Sequence, residues 1–235
     1  MLTQQTLLFD ADDTLWENNI YFERAIASFI SYLDHRVHSP AEVRQRLNEC
    51  EHATIARYGY GLASFRKSLI ACFEQLCEDP LTQELRSQRH ARIVAFTDAI
   101  ASTGVELMPA VEATLRTLAT RHRLLLVTKG DAVEQTDKLV RSGLQPLFAA
   151  VEVLAEKNAA AYRTLIALHG LDPATTWMIG NSPRSDINPS LAAGLHAVFI
   201  PHDHTWVMEH ETLDAPPGRQ RFLQLDTFAA LLDHF

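Results

Sequence analysis

Paired cysteines are missing from this sequence. Cys50, Cys72 and Cys77 are odd in number and none follows another at C-x-x-C spacing, which suggests neither a disulfide framework nor a zinc site. Reduced, buried thiols are the expectation. A basic excess is missing too: 21 Lys and Arg stand against 29 Asp and Glu, for a formal net charge of -8. Proteins that grip a nucleic-acid backbone carry clustered positive charge, so no nucleic-acid partner is expected. No apolar run approaches the ~18 residues of a membrane span, and the first strand-like segment begins too soon for a signal peptide to precede it. The expectation is a cytoplasmic protein with no membrane partner. Internal repeats and low-complexity linkers are also lacking.

What the chain does have is apolar content enough, at 47%, for a sizeable core, and one domain with an insertion or two modest domains both fit. Its organising stretch is Leu7-Leu8-Phe9-Asp10-Ala11-Asp12-Asp13-Thr14-Leu15, in which an apolar run ends in three carboxylates within four residues. The run predicts a short strand of a parallel sheet, buried on both faces, and ligands of such sheets gather beyond the carboxyl ends of the strands. Asp is also common in plain turns. A calcium loop starting at Asp10 fails, because its sixth position is Leu15 rather than Gly and its twelfth is Tyr21 rather than Glu.

From residue 17 to about 102 the pattern is helical. Tyr21, Phe22, Ala25, Ile26, Phe29, Ile30 and Leu33 recur at helix spacing. Ser39 with Pro40 and Glu42 predicts a capped helix start, Gly59 and Gly61 predict a break, and two further helices follow. From Met108 helix and strand alternate, the signature of an α/β parallel sheet. Strands are predicted over 124–127, 151–154, 176–179 and 197–200, with an edge strand over 222–225. The predicted fold is therefore α/β, a Rossmann-like parallel sheet core over 1–16 plus 105–235, with an inserted all-helical cap domain over 17–104.

Polar groups fall at the ends of these strands: Asp10 and Asp12 after the first, Thr128 and Lys129 after the second, Lys157 after the third, Asn181 and Asp186 after the fourth. In a parallel sheet all these ends point one way. Each residue alone has a plain reading, as a helix cap, a surface lysine or a first-turn acid. Together and in this order they resemble the haloacid dehalogenase superfamily of hydrolases. Asp10-Ala11-Asp12-Asp13-Thr14-Leu15 is similar to its first motif, Thr128 to its second, Lys157 to its third and the stretch from Gly180 to Asp186 to its acidic fourth. The insertion after the first motif resembles the C1-type cap of that superfamily.

The resemblance implies a magnesium-dependent phosphatase acting on a small phosphorylated metabolite. Asp10 would attack phosphorus and form an aspartyl-phosphate. Asp12 would protonate the leaving oxygen and then take a proton from water. Magnesium, which prefers oxygen ligands, would sit among Asp10, the Asp12 and Ala11 backbone region, Asp186 and Asn181. Thr128, Lys129 and Lys157 would hold the phosphate and balance its charge. Two departures stand out: Asn181 occupies a position where the family often has Asp, and Lys129 one where small or amide side chains are frequent.

A 2-haloacid dehalogenase shares the nucleophile but needs no acid for its halide, so Asp12 speaks against it. A phosphoryl mutase shares the same residues, and a non-catalytic phospho-accepting or binding module uses similar strand-end groups. Arg57 and Tyr60, beside the glycines that interrupt the helical segment, are candidate substrate contacts. The cluster His202, Asp203, His204, Glu209 and His210 reads as a solvated loop in preference to a transition-metal site, with Trp206 as a candidate buried anchor.

Overall fold

The computed structural model describes residues 4–77 and 80–235. Among them, β1 (Thr6–Phe9), β2 (Arg123–Lys129), β3 (Ala150–Leu154), β4 (Thr176–Gly180), β5 (His196–Phe199) and β6 (Phe222–Gln224) form one sheet. The strand order is β3-β2-β1-β4-β5-β6, and every neighbouring pair is parallel. The first strand in sequence is thus central, which is why it is apolar from Leu7 to Phe9. Its alternating side chains enter two cores: Leu7 and Phe9 join Trp177, Ile179 and Val198 on one face, while Leu8 joins Leu125, Val127, Tyr162 and Met178 on the other. Burying each such side chain stabilises the sheet by about 1.5–3 kcal/mol.

The chain divides into two compact units, residues 1–19 with 105–235 and residues 20–104. The second is helical: α1 (Asn19–Leu33), α2 (Pro40–Tyr58), α3 (Leu62–Leu76) and α4 (Gln83–Ser102). Its core is built from Phe29, Val43, Leu47, Leu69, Cys72 and Ile93. The predicted start of α2 is realised as a capping box, with Ser39 Oγ accepting from Glu42 N and Glu42 Oε2 accepting from Ser39 N. Gly59 and Gly61 sit at φ +79° and +115°, a conformation that explains the break between α2 and α3. Where the chain leaves and rejoins the sheet unit, Glu17 N donates to Glu106 O at 2.9 Å, Met108 N donates to Leu15 O at 2.9 Å, and Trp16 forms an antiparallel bridge with Leu107.

In the sheet unit, α5 (Val111–Ala119), α6 (Ala132–Ser142), α7 (Ala159–His169) and α8 (Asn188–Ala192) connect the strands. Asp131 caps α6 by accepting from Val133 N and Glu134 N, and Asn158 caps α7 by accepting from Ala161 N. After β4 helical backbone starts with a wide turn over Pro183–Ile187, because Ser182 O accepts from both Asp186 N and Ile187 N. Wide turns of this kind recur at functional sites. No helix among the described residues is long and apolar enough to cross a membrane.

One buried charge stands apart from the apolar helical core. Glu51 on α2 is buried, and its Oε2 has no hydrogen-bond partner among the described residues. Burial pushes its carboxyl up to about 7, against the pull of Arg44. The folded chain therefore keeps this proton across a window in which the unfolded chain, with its ordinary value of 4.5, has released it. The stability tied to Glu51 is full below that lower value and is lost as pH rises towards the upper one. Glu51→Gln should remove this loss, raising stability by about 1–3 kcal/mol at pH 8 and little at pH 5. Urea unfolding at the two pH values checks it, and an equal difference at both would show that no proton is held there.

Candidate active site

The carboxyl ends of β1 and β4 lie side by side, since Phe9 pairs with Ile179 and Asp10 N donates to Ile179 O at 2.9 Å. Three charged side chains meet there. Lys157 Nζ donates to Asp10 Oδ1 at 2.5 Å and to Asp186 Oδ1 at 2.7 Å. Lys157 arrives from the turn after β3, and Asp186 from the wide turn after β4. All three side chains are buried. Asp186 reaches this place because residue 180 is glycine: a Cβ there would lie 2.2 Å from Asp186 Oδ2. Ser182 N donates to that same oxygen at 2.9 Å, and Tyr162, buried beneath, donates to Ser185 O at 3.0 Å.

Burial pushes the carboxyl of Asp10 above its usual range, against the opposing pull of Lys157. Asp186 is pushed up to about 7, by burial first and by the charge of Asp10 second. Burial also works against the Lys157 ammonium, but the two carboxylates outweigh it and hold its proton more tightly than in water. Two carboxylates to one ammonium leave a formal deficit of positive charge in an enclosed space. An oxygen-preferring divalent cation fits that donor set, with Asp10 and Asp186 as the residues that would hold it. Asn181 is adjacent: Thr14 Oγ1 lies 3.2 Å from Asp10 Oδ2 and 3.1 Å from Asn181 Oδ1. The Asn181 amide Nδ2 donates to Thr205 Oγ1 at 3.0 Å, a bond an ionised Asp could not make.

The Ala11 carbonyl closes the turn after β1, accepting from Thr14 N at 3.2 Å and Leu15 N at 2.8 Å. The Asp12 carboxylate does not join the Asp10, Lys157 and Asp186 group. Its Oδ1 accepts from Trp16 Nε1 at 2.7 Å and from Lys138 Nζ at 2.6 Å, and its Oδ2 accepts from Gln135 Nε2 at 2.7 Å. Burial would raise its pKa, but Lys138 with these other donors overrides that and keeps it below the ordinary carboxylate range. Asp13 behaves oppositely: burial first, then Asp12 and Asp10, push it up to about 7. Lys129, expected at the phosphate, is ion-paired with Glu209 and donates to Ser185 Oγ at 2.9 Å. The loop after β5 brings Glu209 there, where Ser182 Oγ also donates to it at 2.5 Å.

Thr128 is buried as the penultimate residue of β2, two positions beyond Leu126, which pairs with Phe9 of β1. Arg57 and Tyr60 belong to the helical unit, where the Arg57 guanidinium lies 5.1 Å from the Tyr58 ring centroid. In the histidine loop Glu209 is the buried residue and Trp206 is half-buried. The His202 and His204 rings meet edge to face with centroids 5.9 Å apart, His202 Nε2 lies 3.3 Å from Glu17 Oε2, and His210 Nε2 lies apart from them, 3.1 Å from Thr205 O. Thr14, Gln135, Lys138 and Glu209 are contributors that sequence reasoning missed. Thr14 lies within the first motif and Glu209 within the histidine loop, while Gln135 and Lys138 are polar residues at i and i+3 on the helix following Thr128.

The family profile of haloacid dehalogenase-like hydrolases matches residues 4–194. The chain belongs to that family. As a haloacid dehalogenase-like hydrolase it is similar in structure to a family member from Xanthomonas campestris, at 26% identity, covering 99% of this chain and 94% of that one, with a TM-score of 0.79. It is similar in fold to a predicted phosphoglycolate phosphatase from Haemophilus somnus, at 19% identity over 100% and 99% of the two chains, TM-score 0.61. The L-2-haloacid dehalogenase of Xanthobacter autotrophicus is alike in fold as well, at 13% identity over 97% of each chain, TM-score 0.63. No curated protein sequence matches this hydrolase.

Since the Asp186 carboxyl occupies the space above Gly180, Gly180→Ala should force it off Lys157 and lower stability by about 1–3 kcal/mol. Thermal unfolding measures this. A variant as stable as the parent would mean that Asp186 has room to move without cost.

Proposed function

We propose that this hydrolase is a magnesium-dependent phosphatase that releases phosphate from a small phosphorylated metabolite through an aspartyl-phosphate on Asp10. The observation that carries the reading is the pairing of two carboxylates with opposite surroundings: Asp10 buried against Lys157, and Asp12 held two residues on by its own set of donors. A phosphate monoester needs a nucleophile at phosphorus and a separate group to supply the proton of the leaving oxygen. A halide leaves as a stable anion and needs only the first.

In the first step Asp10 attacks phosphorus while the bond to the leaving oxygen breaks, and Asp12 gives that oxygen a proton. The arriving ester brings negative charge beside Asp12, and like charge raises the affinity of a carboxylate for a proton. In the second step Asp12 takes a proton from water as the water oxygen attacks phosphorus and the bond to Asp10 breaks. Lys157 offsets the charge of Asp10 and of the phosphoryl oxygens throughout, and Thr128 holds one of those oxygens. When bound by Asp10, Asp186 and Asn181, magnesium supplies the further positive charge that the dianionic ester requires.

Purified protein tested with magnesium against phosphorylated sugars, nucleotides and small acids should release phosphate. Chelation should abolish the release and added magnesium restore it. Asp10→Asn should lower turnover at least ~10³-fold. Chloride release from 2-chloropropionate without phosphate release from any ester would replace this reading with that of a dehalogenase.

We further assign the helical unit the part of a substrate-enclosing cap, in which Arg57 and Tyr60 contact the substrate. The exposed Arg57 and the tight Gly59 to Gly61 turn support this. Arg57→Ala and Tyr60→Ala should raise KM several-fold more than they lower kcat on the best substrate of the panel. Unchanged KM in both would reduce the turn to a helix connection.

A further inference from the structure

The helix that follows Thr128 carries two side chains that neither attack phosphorus nor hold the phosphate. Gln135 and Lys138 are three residues apart on α6, so they leave the same face of the helix. Both end on Asp12. Lys138 Nζ donates to Asp12 Oδ1 at 2.6 Å and to Asn18 Oδ1 at 3.0 Å, and Gln135 Nε2 donates to Asp12 Oδ2 at 2.7 Å. Trp16 Nε1 adds a third donor at 2.7 Å, again on Oδ1. The Gln135 side chain is buried and lies against Gly130, where a Cβ would come within 3.0 Å of its Nε2. Glycine at 130 therefore makes room for the amide.

Counting lone pairs on Asp12 separates its two oxygens. A carboxylate oxygen accepts about two hydrogen bonds. Among the described residues Oδ1 has its two, from Trp16 and Lys138, whereas Oδ2 has one, from Gln135. The oxygen free to exchange a proton is Oδ2. A charged donor on Oδ1 and an amide on Oδ2 also fix the plane of the carboxyl group, and misplacement of a reacting group by 1 Å can cost about 100-fold in rate.

We propose that Lys138, with Gln135, is a positioning residue for proton transfer: it occupies Oδ1 of Asp12, fixes the carboxyl plane and so presents Oδ2 to the leaving oxygen of the substrate. The inference rests on the phosphatase reading, in which Asp12 handles that proton. Lys138 touches neither phosphorus nor the leaving group. Its second bond, to Asn18, anchors the ammonium itself, so the lysine bridges the turn after β1 and the segment that runs on from it.

The test uses two esters that differ in their need for a proton. p-Nitrophenyl phosphate releases a stabilised phenolate that leaves unprotonated, whereas an alkyl phosphate such as glycerol phosphate releases an alkoxide that must be protonated. The quantity compared is kcat/KM, which reports the steps up to departure of the leaving group and not the later hydrolysis. Lys138→Met should lower kcat/KM on the alkyl ester ~10–100-fold more than on the aryl ester. Lys138→Arg, which keeps a charged donor, should restore most of the difference. Lys138→Gln, with a donor but no charge, serves in place of the Met variant should that one fail to fold.

Equal losses on the two esters, or an Arg variant no better than Met, would overturn the positioning role and leave the phosphatase reading standing. A parent protein that hydrolyses neither ester nor any other phosphate, with magnesium present, would overturn the reading itself and the positioning role with it.

Discussion

Everything at the active edge depends on one buried arrangement of charge, the Lys157 ammonium held between Asp10 and Asp186. Taking such groups out of water is costly, and their mutual attraction offsets the cost only when the geometry is good and every remaining lone pair and proton is used. The parallel sheet provides that geometry. Because β1, β3 and β4 all end on the same side, three residues far apart in sequence reach one point without any strand reversing. The apolar cores on both faces of β1 supply the stability against which this charge is set, and Gly180, Ser182 and Tyr162 supply the space and the bonds that keep Asp186 in place.

The same turn holds two carboxylates whose surroundings drive them apart. Asp10 is embedded among buried groups, with Lys157 as its main counter-charge, and its proton affinity rises. Asp12, on the same short turn, faces a helix that offers a lysine and an amide, and its proton affinity falls. The two acids of one turn thus have separate partners, Asp10 the buried Lys157 and Asp12 the donors of α6. Lys129 and Glu209 form a second pair nearby, joined by Ser185 and Ser182. That pair ties the loop after β5 to the end of β2, and it explains why a lysine follows Thr128 without adding a net charge.

Much of the fold was legible in the sequence because its signals are local. The apolar run before Asp10, the alternation after Met108, and the Ser39 and Gly59 to Gly61 boundaries each rest on a few adjacent residues. The convergence of Asp10, Lys157 and Asp186 was legible because a parallel sheet turns order along the chain into direction in space. What stayed hidden depends on which way a side chain or carbonyl points. Nothing in the sequence tells that the Ala11 carbonyl closes its own turn, that Asp12 faces α6, or that Glu209, rather than Trp206, is the buried residue of the histidine loop. Thr14 was visible within the first motif, but its position between Asp10 and Asn181 follows only from the packing of β1 against β4.

The bridge between Trp16 and Leu107, with its bonds from Glu17 to Glu106 and from Met108 to Leu15, brings the outgoing and returning segments together at the base of the helical insertion. From the standpoint of the sheet, the whole insertion is then a loop whose ends are already closed. The entropic cost of closing a loop grows only as the logarithm of its length, so a longer or shorter insertion would change the stability of the sheet very little. The catalytic edge and the inserted helices are in that sense free to diverge separately: one keeps its chemistry while the other is remodelled, exchanged or reduced to a hairpin.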